Sequence, residues 1–383
     1  MANRFIPYGR QVIEDEDVAA VTEVLRSDWL TTGPLVARFE AAFASFVGAD
    51  HAVAASNGTA ALHLCMLAAG VGPGDEVIVP ALTFAASANC ARYVGATVVF
   101  ADVRPDTLTI EVGQVESLIT PRTRAIVAVD YGGLPADLEE LAALTQRHAI
   151  TLVEDACHAP GAEYHGRKVG SIAHLTAFSF HPVKHLTTGE GGMVSTNDAA
   201  LAQRLRTFRN HGIATDHRQR EQAGTWEYDM AMLGYNYRLN DVQCALGLSQ
   251  LQRLPQTLAR RRALAGRYQS ALAPLSPVRL PVEPQDRRHA WHLYAIRING
   301  ADPAPARRRI FGELRAGGIG VNVHYLPVYL HSYYRALGYR EGLCPVAEHA
   351  YAGLLSLPMW HGLTDADQDR VIDSLARSLQ GHD

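Results

Sequence analysis

Lys184 lies in the stretch "FSFHPVKHLTTGEGG", residues 178–192, between two apolar runs and among small hydroxyl and glycine residues. A solvated surface lysine needs no such surroundings. In an enclosed site the charged form is disfavoured, which frees the amine as a nucleophile toward carbonyl carbons. Asp155 closes the apolar run "TLVED" 29 residues earlier (184 − 155), and a carboxylate ending a buried strand is costly unless something pairs with it. The turn Ser56-Asn57-Gly58-Thr59 opens a helical pattern. Its backbone amides can form an anion site, with Gly58 allowing close approach and Thr59 adding a hydroxyl. Phe84 follows "EVIVP" and offers a flat face to a ring, His158 stands three residues after Asp155, and Ser179 five before Lys184. Each also has an ordinary reading: a helix cap for the turn, core packing for Phe84, a structural histidine for His158.

Taken together and in this order, they amount to an anion cradle, a stacking ring, a buried acid and a reactive lysine. Pyridoxal phosphate needs that set. The lysine forms a Schiff base, the acid keeps the pyridine nitrogen protonated, and the cradle anchors the phosphate.

The elements that must carry these residues alternate. Short apolar runs at 51–56, 76–80, 97–103, 124–130 and 151–157 read as strands, and helical patterns at 58–70, 83–95, 111–119 and 137–149 lie between them. This predicts βαβ units in a mainly parallel central sheet flanked by helices, with ligands at the carboxyl ends of the strands. "TAFSFH" and "GMVSTN", separated only by the lysine segment, are predicted to neighbour each other in one sheet. Beyond them the pattern predicts a helix over 198–212, a loop over 213–232 and a long helix over 240–273 with Pro255 as a break point. The last third mixes strands at 291–298 and 320–326 with helices at 306–316 and 365–379. The expected division is a large α/β domain over residues 1–245, N-terminal segment included, and a smaller C-terminal α+β domain over 246–383.

Composition narrows the class. A chain of 383 residues suggests more than one domain, and 48% hydrophobic with 19% charged residues is an ordinary globular composition. A net charge of −4 gives no sign of a nucleic-acid partner. The run Arg260-Arg261-Arg262 falls in a helical pattern and reads as a solvated face. No apolar run reaches the roughly 18 residues a membrane span needs, and residues 1–10 lack the apolar stretch of a signal peptide. Five scattered cysteines without a C-x-x-C pair argue against a disulfide framework or a metal site, so the reducing cytoplasm is the expected compartment.

Longer stretches carry a resemblance. "LTTGPLVARFE" (30–40), "ASNGTAALHL" (55–64), "GDEVIVPALTFAASAN" (74–89), "VEDACHAPGAEYHGRKVGS" (153–171), the lysine stretch and "LGYNYRLNDVQCALGLSQL" (233–251) resemble the DegT/DnrJ/EryC1/StrS sugar aminotransferases. The similarity covers nearly the whole chain. Within that family, "VDYGGLP" (129–135) and "VHYLPVYLHSYYR" (323–335) look like the UDP-4-amino-4,6-dideoxy-N-acetyl-β-L-altrosamine transaminases of pseudaminic acid biosynthesis. The UDP-4-amino-4-deoxy-arabinose aminotransferases are close behind. His158 departs from the glutamine many members carry, though histidine also occurs there.

The resemblance implies the aspartate-aminotransferase-like fold type I and a set of roles. Lys184 would bind the cofactor aldehyde and shuttle protons. Asp155 would face the ring nitrogen, Phe84 stack on the ring, and His158 contact its phenolic oxygen. Gly58, Thr59 and Ser179 would hold the phosphate, and Asn236 would reach it from the neighbouring subunit of a homodimer with shared active sites. L-glutamate would be the donor and a nucleotide-linked keto sugar the acceptor, with Thr31, Thr32, Arg238, His324 and Tyr325 on the substrate side. Two other readings stand beside this one. A sugar dehydratase on the same scaffold would replace the lysine with histidine, and a non-catalytic regulator would be expected to lose Asp155, Lys184 or the phosphate cup. This chain keeps all three.

Overall fold

A computed structural model describes residues 4–215 and 217–380. The expected domain limits at 1 and 383, and the first three residues of the stretch read for a leader, lie outside them. The central sheet comprises β1 (His51–Ala55), β2 (Glu76–Pro80), β3 (Thr97–Ala101), β4 (Thr123–Val129), β5 (Thr151–Asp155), β6 (Leu175–Ser179) and β7 (Gly192–Thr196). Their spatial order is β1-β7-β6-β5-β4-β2-β3. Only β7 runs against the rest, pairing antiparallel with both β1 and β6. The cause lies in the connections. Helices carry the chain back between successive strands from β1 to β5, and the longer helix-free segment 156–174 still sets β6 parallel to β5; the short segment joining β6 to β7 instead returns the chain beside β6 in the opposite sense.

Both faces of the sheet are buried, and the period-2 alternation divides its residues between two cores. Val53, Val77, Val127, Val153 and Val194 point to one side. Ala54, Ile78, Ile126, Leu152 and Met193 point to the other, where Phe39, Phe43 and Phe178 pack edge-on. The helix Pro34–Val47 covers this second face. The helix Gly58–Ala68 is apolar nearly all round because it lies within the first core.

One helix, Asp241–Leu272, spans the break expected at Pro255. A proline inside a helix costs about 3 kcal/mol or more. Leu251, Leu254 and Leu258, buried around it, each contribute about 1.5–3 kcal/mol by leaving water, which offsets that cost. Its first half packs into the second core and its last turns, with Leu264, Tyr268 and Leu272, into a third one. The expected division at 245/246 falls in its second turn. The third core belongs to the C-terminal unit, where β8 (Val278–Arg279), β9 (Tyr294–Ile298) and β10 (Leu354–Leu357) form an antiparallel sheet. Ile6 joins that core and bridges to Ile319.

Three local expectations need correcting. Within the run Arg260-Arg261-Arg262, read as a solvated face, Arg261 is fully buried and donates to the Trp291 and Met359 carbonyls at 3.0 and 3.1 Å. The loop over 213–232 contains a short helix, His217–Gln222. The strand expected over 320–326 does not form; only Asn322 bridges, to Ser356. Gly320 is tied to Ile6, and residues 322–325 then leave the sheet for the cleft described next.

Candidate active site

A cleft of about 1050 Å³ opens at the carboxyl ends of the parallel strands, the place where open α/β sheets bind ligands. Gly58, Thr59, Phe84, Asp155, His158, Ser179, Lys184, His324 and Tyr325 all line it.

The anion cradle follows from how the chain leaves β1. Asn57 caps the next helix, its side-chain oxygen accepting from the Ala60 amide at 2.8 Å. The first amides of a helix have no intrahelical acceptor, so those of Gly58 and Thr59 remain available at the wall of the cleft. A β-carbon on Gly58 would stand 2.8 Å from Ser179 Cβ and 3.2 Å from Cys157 Sγ. Glycine is required by that approach, which brings the Ser179 hydroxyl to the same cradle.

Lys184 is held by its loop. Thr187 Oγ1 donates to the Phe180 carbonyl at 3.0 Å, and the Gly189 amide donates to Thr187 Oγ1 at 2.9 Å. Gly189 turns at φ +77°, a left-handed conformation that favours glycine. The hydroxyl and glycine residues around the lysine therefore build a rigid turn. Protein encloses the amine on the side away from the cleft, and this burial lowers its pKa against a smaller opposing pull from Cys157 and Asp155.

Asp155 ends β5 and is buried. Its Oδ1 accepts from the Cys157 amide at 3.2 Å and its Oδ2 from the Ser87 hydroxyl at 2.6 Å. Both donors are neutral, which leaves the carboxylate's charge to be matched from the cleft. Phe84 is 58% exposed, unusual for a phenylalanine amid so much buried aromatic surface, and its ring lies 5.9 Å from that of Tyr325. His158 is buried, with Nε2 3.2 Å from the Tyr325 hydroxyl. Burial, and then the neighbouring Lys184, holds its pKa well below the ordinary imidazole range. His324 is pushed down to about 4 by burial and places Nδ1 2.8 Å from Ser356 Oγ.

Four expected residues are elsewhere within the single chain. Thr32 and Arg238 line a separate concavity of about 240 Å³ together with Arg206, Arg209 and Arg218, while Thr31 and Asn236 are exposed outside both. Sequence reading missed Tyr8, Ser87, Asn322 and His292. Tyr8 comes from the N-terminal segment and has no motif around it. Thr83 and Ser87 carried no such signal either, since Thr83 precedes the extended cap residue Phe84 and only the fold brings its hydroxyl to Ser87.

The residues present fit pyridoxal phosphate: a cradle that a single β-carbon would fill, an exposed ring face, a buried acid with neutral donors and an enclosed amine. Fold and site together define an enzyme that works through this cofactor. The family model of the DegT/DnrJ/EryC1/StrS aminotransferases matches residues 11–376. The spore coat polysaccharide biosynthesis protein SpsC of Bacillus subtilis (strain 168) is 42% identical over 100% of this chain and 99% of its own. Among solved structures, the sugar aminotransferase Spr1654 of Streptococcus pneumoniae, in both PLP and PMP forms, superposes with a TM-score of 0.93 at 32% identity, covering 98% of this chain and 99% of its own. PseC of Helicobacter pylori, an aminotransferase involved in pseudaminic acid biosynthesis, does so at 0.93 and 31%, covering 99% and 100%. The chain belongs to the DegT/DnrJ/EryC1/StrS aminotransferase family. It is a pyridoxal-phosphate-dependent sugar aminotransferase of fold type I.

Proposed function

We propose that the enzyme moves an amino group from L-glutamate to C4 of a nucleotide-linked 4-keto-6-deoxy sugar, with UDP-4-keto-6-deoxy-N-acetyl-L-altrosamine as the acceptor. The observation that carries the chemistry is the convergence of Lys184, Asp155, Phe84 and the Gly58 cradle on one cleft. The similarity to PseC and the motifs at 129–135 and 323–335 support the acceptor.

In this reading the Gly58 and Thr59 amides and the Ser179 hydroxyl hold the phosphate. Phe84 covers one face of the ring, Asp155 faces its nitrogen and His158 its oxygen. When bound, the cofactor supplies an electron sink that stabilises negative charge on the adjoining carbon. Lys184 supplies the amine that bonds the cofactor's aldehyde carbon and, once released, takes and returns protons at Nζ. An amine with a lowered pKa suits both directions of that transfer near neutral pH. His324 and Tyr325 stand where the sugar would lie. Asn236, Arg238, Thr31 and Thr32 are outside the cleft of their own chain and serve that of a second copy, in a cytoplasmic homodimer with shared sites.

SpsC favours a second reading. It is the more similar of the two relatives, and its name points to polysaccharide assembly. The acceptor would then be another sugar nucleotide, of the UDP-4-keto-arabinose or UDP- or dTDP-4-keto-6-deoxyglucose type. Amino transfer from glutamate to a panel of 4-keto sugar nucleotides, with product configuration read by NMR, separates the two. Turnover of the altrosamine derivative far above the rest supports the first reading; preference for another member of the panel overturns it.

A further inference from the structure

Behind Asp155 runs a chain of hydroxyls with no part in the scheme above. Thr83 Oγ1 and Ser87 Oγ lie 2.7 Å apart, and Ser87 Oγ donates to Asp155 Oδ2 at 2.6 Å. Ser87 is fully buried and Thr83 nearly so. Both sit where the chain leaves β2, Thr83 just before the helix Ala85–Tyr93 and Ser87 in its first turn. Asp155 arrives 68 residues later, at the end of β5. Two things follow from this contact. The carboxylate is fixed from two sides, by Ser87 on one oxygen and the Cys157 amide on the other, so its orientation toward the cleft is set before any ligand enters. The short bond from a hydroxyl also places a donor against the carboxylate's negative charge on the side away from the cleft.

We propose that Ser87 is a positioning residue for amino transfer: by donating to Asp155 it keeps the proton shared between that carboxylate and the cofactor's pyridine nitrogen on the nitrogen. Thr83 orients the Ser87 hydroxyl toward this task. The inference rests on the pyridoxal phosphate reading of the cleft, and no bond other than that to the shared proton changes. Without Ser87 the proton moves from the ring nitrogen toward Asp155 Oδ2, the ring loses its charge, and it withdraws electrons less strongly.

The test uses the full-length enzyme loaded with pyridoxal phosphate labelled with 15N in the ring. In Ser87→Ala the ring-nitrogen signal is expected to shift toward its neutral position, and the half-reaction with glutamate to slow about tenfold or more, the scale of losing a hydrogen bond to a charged group. Ser87→Thr keeps the hydroxyl and should retain both properties. The slow half-reaction of Ser87→Ala should be relieved by N-methyl-pyridoxal phosphate, whose ring charge is permanent; a packing defect would not respond to it. Thr83→Val gives a smaller shift in the same direction and serves if Ser87→Ala does not fold. A ring-nitrogen signal unchanged in the variants, or a defect that the methylated cofactor leaves in place, overturns the proposal. Failure of the unaltered enzyme to form a borohydride-fixed adduct at Lys184 would instead overturn the cofactor reading beneath it.

Discussion

The rings of His158 and His292 stack 4.3 Å apart at 29°, and His185 continues the group 5.6 Å beyond His292. The Nδ1 atoms of all three are buried without a hydrogen-bond partner among the described residues. Burial, with Lys184 nearby, keeps each pKa well below the ordinary imidazole range. Neutral rings can stack face to face where charged ones would repel.

This arrangement sets an acid limit on stability. In the unfolded chain these histidines take up protons below about pH 6.5, whereas the folded protein excludes them. Stability from this source is therefore complete above pH 6.5 and lost as pH falls, by up to about 1.4 kcal/mol per pH unit for each histidine. Urea denaturation at pH 7.5 and pH 5 should show the loss, and His292→Phe, which keeps a flat ring but cannot titrate, should reduce it. His292→Ala should instead cost about 2–4 kcal/mol at both pH values through the cavity it leaves.

The buried pair Asp130 and Glu154 acts in the opposite sense. Glu154 accepts from Thr176 Oγ1 at 2.8 Å, yet burial raises its pKa to about 7, and burial with Glu154 alongside raises that of Asp130. A raised carboxyl stabilises the fold below its unfolded pKa, and that contribution disappears as pH rises through the folded value. For Glu154 the window is about pH 4.5 to 7. Glu154→Gln should match the wild type near pH 4.5, gain on it up to about pH 7 and hold that gain to pH 8, measured by thermal unfolding in parallel buffers. A constant difference across that range would contradict the assignment.

Gly58→Ala places a methyl group 2.8 Å from Ser179 Cβ. Overpacking of this kind costs about 1–3 kcal/mol, and here it falls on the cradle. Cofactor affinity should drop by more than global stability does, as read by equilibrium dialysis beside urea unfolding. Equal losses would place the strain in the core alone.

Lys184→Ala should abolish amino transfer and borohydride fixation while leaving the melting temperature within a few degrees of wild type. Its side chain makes no hydrogen bond on which the fold depends among the described residues, and the Lys184 amide, which bonds the His181 carbonyl at 2.8 Å, survives the change. Covalent fixation at another residue in this variant would remove Lys184 from its role.

The sequence by itself determined the layered α/β sheet, because alternating apolar runs and 3.6-residue patterns report local backbone geometry. It also placed β6 and β7 side by side, since only the short lysine segment separates them; their antiparallel sense was decided by the fold. Lys184, Asp155 and the Gly58 turn were legible for the same reason: each stands beside a strand end whose position the pattern marks. Tertiary structure decided the rest. Ser87 meets Asp155 across 68 residues and Tyr325 meets His158 across 167, separations over which no local periodicity carries information. The run at 320–326 alternates like a strand, yet the contacts of Gly320 and Asn322 to distant backbone turn it into the cleft wall. Asn236 and Arg238 lie in recognisable motifs, yet packing leaves both outside the cleft of their own chain. Spacing names the chemical groups; packing decides which of them touch.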